Sequence, residues 1–246
     1  MKILQVNDLN KRFGSVYAAK SINFEMNTNE IVGIIGSNGA GKTTFCNIIT
    51  GYTTADNGKV IFKKEDITNK DIQYIKNKGI HRSFQIPQIF ENLSVIENIM
   101  IAENVAQKKQ NVFWNTAYSK EVKTKALELL SKFDIESYTY FLAKDLPQGA
   151  RKILDILLAI LGDPALIMLD EPTSGISADE KDIVMEKIIQ AIKALNISIM
   201  FIEHDMEIVA KFSERIVAFY DGEILAEGSP GEVFKQEKVK KYIIGN

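Results

Sequence analysis

Apolar residues recur along this chain in two rhythms. Near the start, residues 3–6 and 21–24 alternate as short strands, with a Gly14-Ser15 turn between them. Residues 30–35 form a compact apolar run leading straight into a glycine-rich loop. After Thr43 the spacing turns helical through Phe45, Ile48 and Ile49, with Gly51 as a stop, and residues 59–62 read as another strand. The strand rhythm returns at residues 165–169 and 197–202, both apolar throughout, as strands buried on two faces are. Residues 179–195 read as an amphipathic helix between them. Residues 215–218 and 223–226 predict a closing strand pair around an Asp221-Gly222 turn, and residues 232–244 a helical tail.

Between about 96 and 142 the strand signals vanish. Ser94 and Glu97 have the spacing of a capping box that opens a helix at Val95. Ala126, Leu127, Leu129, Leu130 and Phe133 make a helical stripe, and residues 107–111 a polar loop. Alternating strands and helices on either side predict an α/β domain with a mostly parallel sheet. Residues 1–94 and 164–246 are thus expected to form one core, with residues 95–163 inserted as a helical subdomain. Strands near the amino terminus add an antiparallel β-subdomain.

Composition changes this picture little. With 246 residues, 46% of them hydrophobic, the chain can bury a sizeable core. A net charge of -2 gives no basic excess to favour a nucleic-acid partner. Cys46 is the single cysteine, so no intrachain disulfide forms, and it reads as a small core residue. The amino terminus lacks the apolar stretch of a signal peptide. No apolar run approaches the roughly 20 residues of a membrane span; the best, residues 153–161, carries Asp155.

The loop that ends the apolar run of residues 30–35 is the strongest chemical signal. Gly36-Ser37-Asn38-Gly39-Ala40-Gly41-Lys42-Thr43 matches G-x-x-x-x-G-K-[ST] throughout. Glycines let the backbone curl so that successive N–H groups of Ser37, Asn38, Gly39, Ala40 and Gly41 face phosphate, and the following helix, with Thr44, adds its positive end. Lys42 is expected to reach the β- and γ-phosphates, and the Thr43 hydroxyl to ligate Mg²⁺.

Such a loop needs a carboxylate on the metal side. Asp170 ends the apolar run of residues 166–169 and suits that place. On an extended backbone the next side chain points the other way, so Glu171 is expected to face the attacking water as general base. His204 closes the run of residues 197–202 at the same sheet edge, where an imidazole can hold the γ-phosphate and the water. His81 has no such context and reads as a surface residue.

Together these parts resemble the ATP-binding cassette (ABC) transporter ATPases, from Leu9 to the tail. Gly36-Ser37-Asn38-Gly39-Ala40-Gly41-Lys42-Thr43 is similar to that family's Walker A motif and Ile167-Met168-Leu169-Asp170-Glu171 to its Walker B. The resemblance implies that Phe13 stacks on adenine. It implies that Gln85, in Ser83-Phe84-Gln85, contacts Mg²⁺ and senses a membrane subunit, and that His204 is the switch histidine. Ser174-Gly175-Ile176-Ser177 falls at the D-loop. ATP and Mg²⁺ are the implied cofactors. Transmembrane permease subunits and a second cassette are the implied partners, with a substrate-binding protein acting indirectly. The implied location is peripheral, on the cytoplasmic face of the plasma (inner) membrane.

Within the family, the segment running from Phe84-Gln85-Ile86-Pro87 to Ile96-Glu97-Asn98-Ile99 resembles the ATPases of branched-chain amino acid importers. So do the insertion of residues 105–118, with Phe113-Trp114, and the ending from Glu227-Gly228-Ser229-Pro230 through Val239-Lys240-Lys241-Tyr242-Ile243-Ile244-Gly245. The family's signature, Leu-Ser-Gly-Gly-Gln, is replaced by Leu146-Pro147-Gln148-Gly149-Ala150. Pro147 has neither hydroxyl nor N–H, so two donors are gone from the surface lent to a partner's ATP. Ser177 stands where the D-loop usually has Asp, and Leu158 where a basic residue is common. The half of the site that serves the chain's own ATP keeps its residues, which predicts an asymmetric pairing with a sister cassette of better signature. An ATPase of a lipopolysaccharide-type exporter, a slowly hydrolysing regulatory subunit and a soluble cassette of DNA repair or translation are the alternatives. Glu171 and His204 argue against the regulatory subunit; the single cassette without long coiled coils argues against the last.

Overall fold

The computed structural model describes residues 1–83, 89–106 and 119–245. Within them the elements follow in this order: β1 (Lys2–Phe13), β2 (Val16–Asn27), β3 (Ile31–Gly36), α1 (Lys42–Ile49), β4 (Asn57–Phe62), β5 (Glu65–Asp66), α2 (Ile72–Lys78) and β6 (Ile80–Ser83). Helices α3 (Val95–Ala106), α4 (Lys120–Lys132) and α5 (Gln148–Ile160) come next. They are followed by β7 (Leu166–Asp170), α6 (Ala178–Ala194), β8 (Ser198–Ile202), α7 (Met206–Phe212), β9 (Arg215–Tyr220) and β10 (Glu223–Gly228). The chain closes through α8 (Pro230–Val233), α9 (Glu237–Val239) and a π-turn over Lys240–Ile244.

The six-stranded sheet has the order β10-β9-β3-β8-β7-β6, parallel except for β10. Its strands carry the period of two that a pleated backbone imposes. Ile31 and Ile35 of β3, Ile167 and Leu169 of β7, Ile199 and Phe201 of β8, and Ile216 and Ala218 of β9 enter one core. Their neighbours Val32, Ile34, Leu166, Met168, Met200, Ile202, Val217 and Phe219 enter the other. The first core takes the apolar faces of α3, α4, α5 and α6. The second takes α1 and the four-stranded antiparallel sheet, ordered β2-β1-β4-β5. The central sheet is thus a wall with a core on each side, which is why its strands read as unbroken apolar runs.

Strands β1 and β2 run to 12 residues each, well past the short segments expected. Register shifts between Val6 and Leu9 and again near Lys11, with Asp8 at φ 46°, break the alternation that marks a strand in sequence. Leu127 does not join the stripe of α4: it is 39% exposed, while Ala126, Leu129, Leu130 and Phe133 are buried. The expected tail helix is instead two short helices and the π-turn; Ser229 and Glu232 close a capping box at the first of them. His81 is buried rather than superficial. Its Nδ1 lies 2.8 Å from the Ala159 carbonyl oxygen, and burial pushes its pKa down.

Helix α3 opens as its sequence predicts. Ser94 Oγ and its backbone N–H donate to Glu97 Oε2 at 2.6 and 2.8 Å, and Glu97 N–H donates back to Ser94 Oγ at 3.4 Å.

Candidate nucleotide-binding site

Three neighbouring parallel strands, β3, β8 and β7, end on one edge of the sheet, and the candidate residues gather there. Strand β3 delivers the glycine loop, β7 delivers Asp170 and β8 leads to His204. A cleft of about 180 Å³ is lined by Asn38, Gly39, Ala40, Gly41, Lys42, Thr43 and Thr44, together with Asp170, Glu171 and His204. Residues far apart in sequence therefore meet because parallel strands all finish on the same side.

The loop's shape follows from its glycines. Gly41 caps α1 at φ 103°, in the left-handed region, and a Cβ there would fall 2.3 Å from the Ala18 carbonyl oxygen. No side chain caps the helix, and no acidic residue occupies its first turn, so its N–H groups and positive end face the cleft. Lys42 Nζ donates to the carbonyls of Gly36, at 2.5 Å, and Ser37, at 3.0 Å. Burial lowers its pKa, opposed by the nearby charges of Glu171 and Asp170. The helix is seated by Phe45, whose ring centroid lies 5.6 Å from Phe24 of β2 and 5.2 Å from Phe219 of β9. Cys46 beside it is buried, and its thiol is pushed up to about 12 by that burial, so it stays neutral packing.

The carboxylates are held differently from one another. Asp170 ends β7 with Oδ2 2.5 Å from Arg82 Nη2. The backbone does not continue extended through Glu171, as the sequence had suggested. Glu171 adopts φ 48°, and its N–H donates to the Ile202 carbonyl at 3.0 Å, so the chain turns sharply against β8. That turn carries Glu171 Oε1 to 3.2 Å from His204 Nε2. Behind this pair Glu203, only 4% exposed, accepts from Thr173 N–H at 2.8 Å, Thr173 Oγ1 at 2.6 Å and His204 N–H at 3.1 Å. It fixes the turn after Glu171 to the segment that bears His204.

Phe13 is not among the residues that line the cleft. It stands 52% exposed at the end of β1, with Lys11 Nζ 5.3 Å from its ring centroid. Ser37 contributes its carbonyl to Lys42 rather than its side chain to the lining. Gln85 and the pair Phe113-Trp114 lie outside the described residues. Pro147 is the N-cap of α5, which has no side-chain cap and no acidic first turn. Gly149 packs there against α6, where a Cβ would meet Val184 Cγ2 at 2.8 Å. Arg82 and Glu203 are the two residues that motif spacing missed. A cation in a strand as short as Ile80-His81-Arg82-Ser83 becomes informative only once β6 is known to pair with β7.

Residues 19–174 match the family described as ABC transporter. The chain belongs to the ABC transporter family. It is an ATP-binding cassette whose hydrolysis of ATP is coupled to transport. Over its whole length the cassette is 32% identical to a probable branched-chain amino acid transport ATP-binding protein, LivG, of Archaeoglobus fulgidus, covering 96% of that protein. It is 31% identical to the high-affinity LivG of Escherichia coli K12, covering 99% of this chain and 98% of the other. Among solved structures it is similar to the ADP conformation of MJ1267, an ATP-binding cassette of an ABC transporter. The TM-score there is 0.85 at 30% identity, with 97% of each chain covered.

Proposed function

We propose that this cassette powers import of branched-chain or other hydrophobic amino acids, as one of two cassettes beneath a pair of permease subunits. Full-length similarity to proteins named as branched-chain amino acid transport ATP-binding proteins carries the substrate class. Cargo selection falls to the permeases and a substrate-binding protein, because the cleft of this chain is built for phosphate.

In the proposed chemistry the glycine loop and α1 cradle the phosphates, with Lys42 turning from its own loop carbonyls to the β- and γ-oxygens. Thr43 and Asp170 offer the hydroxyl and carboxylate oxygens that suit Mg²⁺ shared with a nucleotide, and Gln85 is proposed as a third ligand. When bound, the ion neutralises charge on the phosphates. Glu171 accepts the proton of the attacking water, and His204, 3.2 Å away, orients that pair. Phe13, exposed at a strand end, supplies a face for adenine.

A groove of about 580 Å³ supports docking of a permease. It lies between α2 and α3, and Phe90 and Val105 stand on its wall, 57% and 72% exposed. Among the described residues no helix is long and apolar enough to cross a membrane. The place proposed for the cassette is peripheral, on the cytoplasmic face beneath its permeases. Closure of two cassettes around ATP would then move α3, α4 and α5 and the permease docked to them.

The test is uptake of labelled leucine by cells that carry this cassette with its own permeases. Replacing Glu171 with Gln should abolish uptake, and excess isoleucine should compete in the unaltered strain. Uptake that survives the substitution, or a transporter indifferent to all hydrophobic amino acids, would refute the assignment. The asymmetric pairing has its own test: Pro147→Ser with Gln148→Gly should raise the hydrolysis rate of the assembled complex, and an unchanged rate would refute it.

A further inference from the structure

Arg82 is a largely shielded cation beside the proposed metal site, and its contacts point to a role that the loop and strand motifs leave unassigned. Its side chain is 8% exposed. One arm of the guanidinium, Nη1, donates to Asn47 Oδ1 at 2.5 Å; the other, Nη2, donates to Asp170 Oδ2 at 2.5 Å. The ring of Tyr52 lies 5.9 Å from the guanidinium carbon. Asn47 in turn is anchored through its backbone, whose carbonyl accepts from the N–H groups of Tyr52 and Thr53 at 2.8 and 3.2 Å.

The decisive relation is between Asn47 and Thr43. Both lie on α1 and are four residues apart, so they share one face of the helix, one turn from each other. Thr43 and Asp170, the two described residues proposed to hold Mg²⁺, therefore sit on separate elements that one planar guanidinium bridges. We propose that Arg82 is a positioning residue for the metal site, setting the separation of Thr43 and Asp170 by tying α1 to the end of β7. This rests on the reading that those two residues bind the ion that accompanies the nucleotide.

Guanidinium suits the task because its planar fork reaches two acceptors at fixed angles. A lysine ammonium carries charge without that geometry. The cation occupies one oxygen of Asp170, Oδ2, and a carboxylate has a second oxygen with its own lone pairs for a metal. Groups that orient metal ligands without touching the metal commonly govern affinity by 10–100-fold.

The experiment compares the affinity of a non-hydrolysable ATP analogue for the full chain in MgCl₂ and in EDTA. Arg82→Gln is expected to lose roughly 10–100-fold of the Mg²⁺-dependent affinity while binding in EDTA is unchanged. Arg82→Lys, which keeps the charge, is expected to recover little of it. Asn47→Ala leaves Arg82 and its contact with Asp170 in place but frees the other arm. It should shift Mg²⁺ dependence in the same direction, and it keeps the test intact if Arg82 variants fail to fold. Unchanged Mg²⁺ dependence in Arg82→Gln and Asn47→Ala would overturn the inference. So would tighter Mg²⁺ binding in Arg82→Gln, the mark of a mere competing counter-cation. A wild-type protein that binds the analogue equally with and without Mg²⁺ would instead sink the underlying metal assignment.

Discussion

Residue chemistry in the cleft divides into what a side chain must be and where the backbone puts it. Gly41 belongs to the first kind: its left-handed φ and the Ala18 oxygen 2.3 Å from any added Cβ admit no larger residue. Gly41→Ala is expected to lose nucleotide binding and lower the melting temperature together, measurable by calorimetry with and without ATP. Glu171 belongs to the second kind. Its identity was legible beside Asp170, but its φ of 48° was not, because it comes from the N–H bond to Ile202 across the sheet. Glu171→Gln should slow hydrolysis by roughly 10²–10⁴-fold while leaving nucleotide affinity intact. Equal loss of affinity and rate would assign the residue to binding rather than to the water.

Elements are held by a few anchors, and these set the tolerance of each to change. Phe45 fixes α1 between Phe24 and Phe219, so Phe45→Ala should cost about 3–5 kcal/mol in denaturant unfolding. Ser94→Ala removes the capping box of α3 and should cost about 1 kcal/mol. That box was readable because both partners lie within four residues. The apolar strands were readable too, since burial on both faces leaves no room for polar positions. His81 was misjudged because its partner is the Ala159 carbonyl on α5, a contact that no local pattern announces. Arg82 and Glu203 escaped for the same reason: their value lies in pairing between strands and turns distant in the chain. The long strands β1 and β2 were cut short by register shifts, which interrupt a pattern without interrupting the ladder.

For the molecule as a whole, Arg215 joins the two sheets. It donates from Nε to Glu30 Oε1 at 2.6 Å, from Nη2 to the Glu25 carbonyl at 2.7 Å and from Nη1 to Glu227. Burial raises the pKa of Glu30, but bonds from Arg215 and the Asn27 backbone outweigh it, and the net shift is downward. A carboxylate depressed in the folded state stabilises fully above its unfolded pKa, about 4.3, and loses that contribution as pH falls through the folded value. Acid unfolding of the wild type should therefore steepen below about pH 4.3, and Arg215→Gln should flatten the slope in that window. An identical pH profile in the variant would show that the Arg215–Glu30 pair contributes nothing to stability in acid.

The strand order has a further consequence, for the birth of the protein rather than its work. β3 pairs only with β8 and β9, which leave the ribosome about 160 residues later, roughly ten to thirty seconds at ordinary rates of synthesis. Throughout that interval Ile31-Val32-Gly33-Ile34-Ile35, the most apolar strand of the nucleotide site, has no partner on either edge. Nascent chains stalled before Ser198 should thus bind chaperones and fail to retain ATP, and those extended past Tyr220 should be released. The phosphate loop, among the earliest features to be written, is among the last to become a binding site.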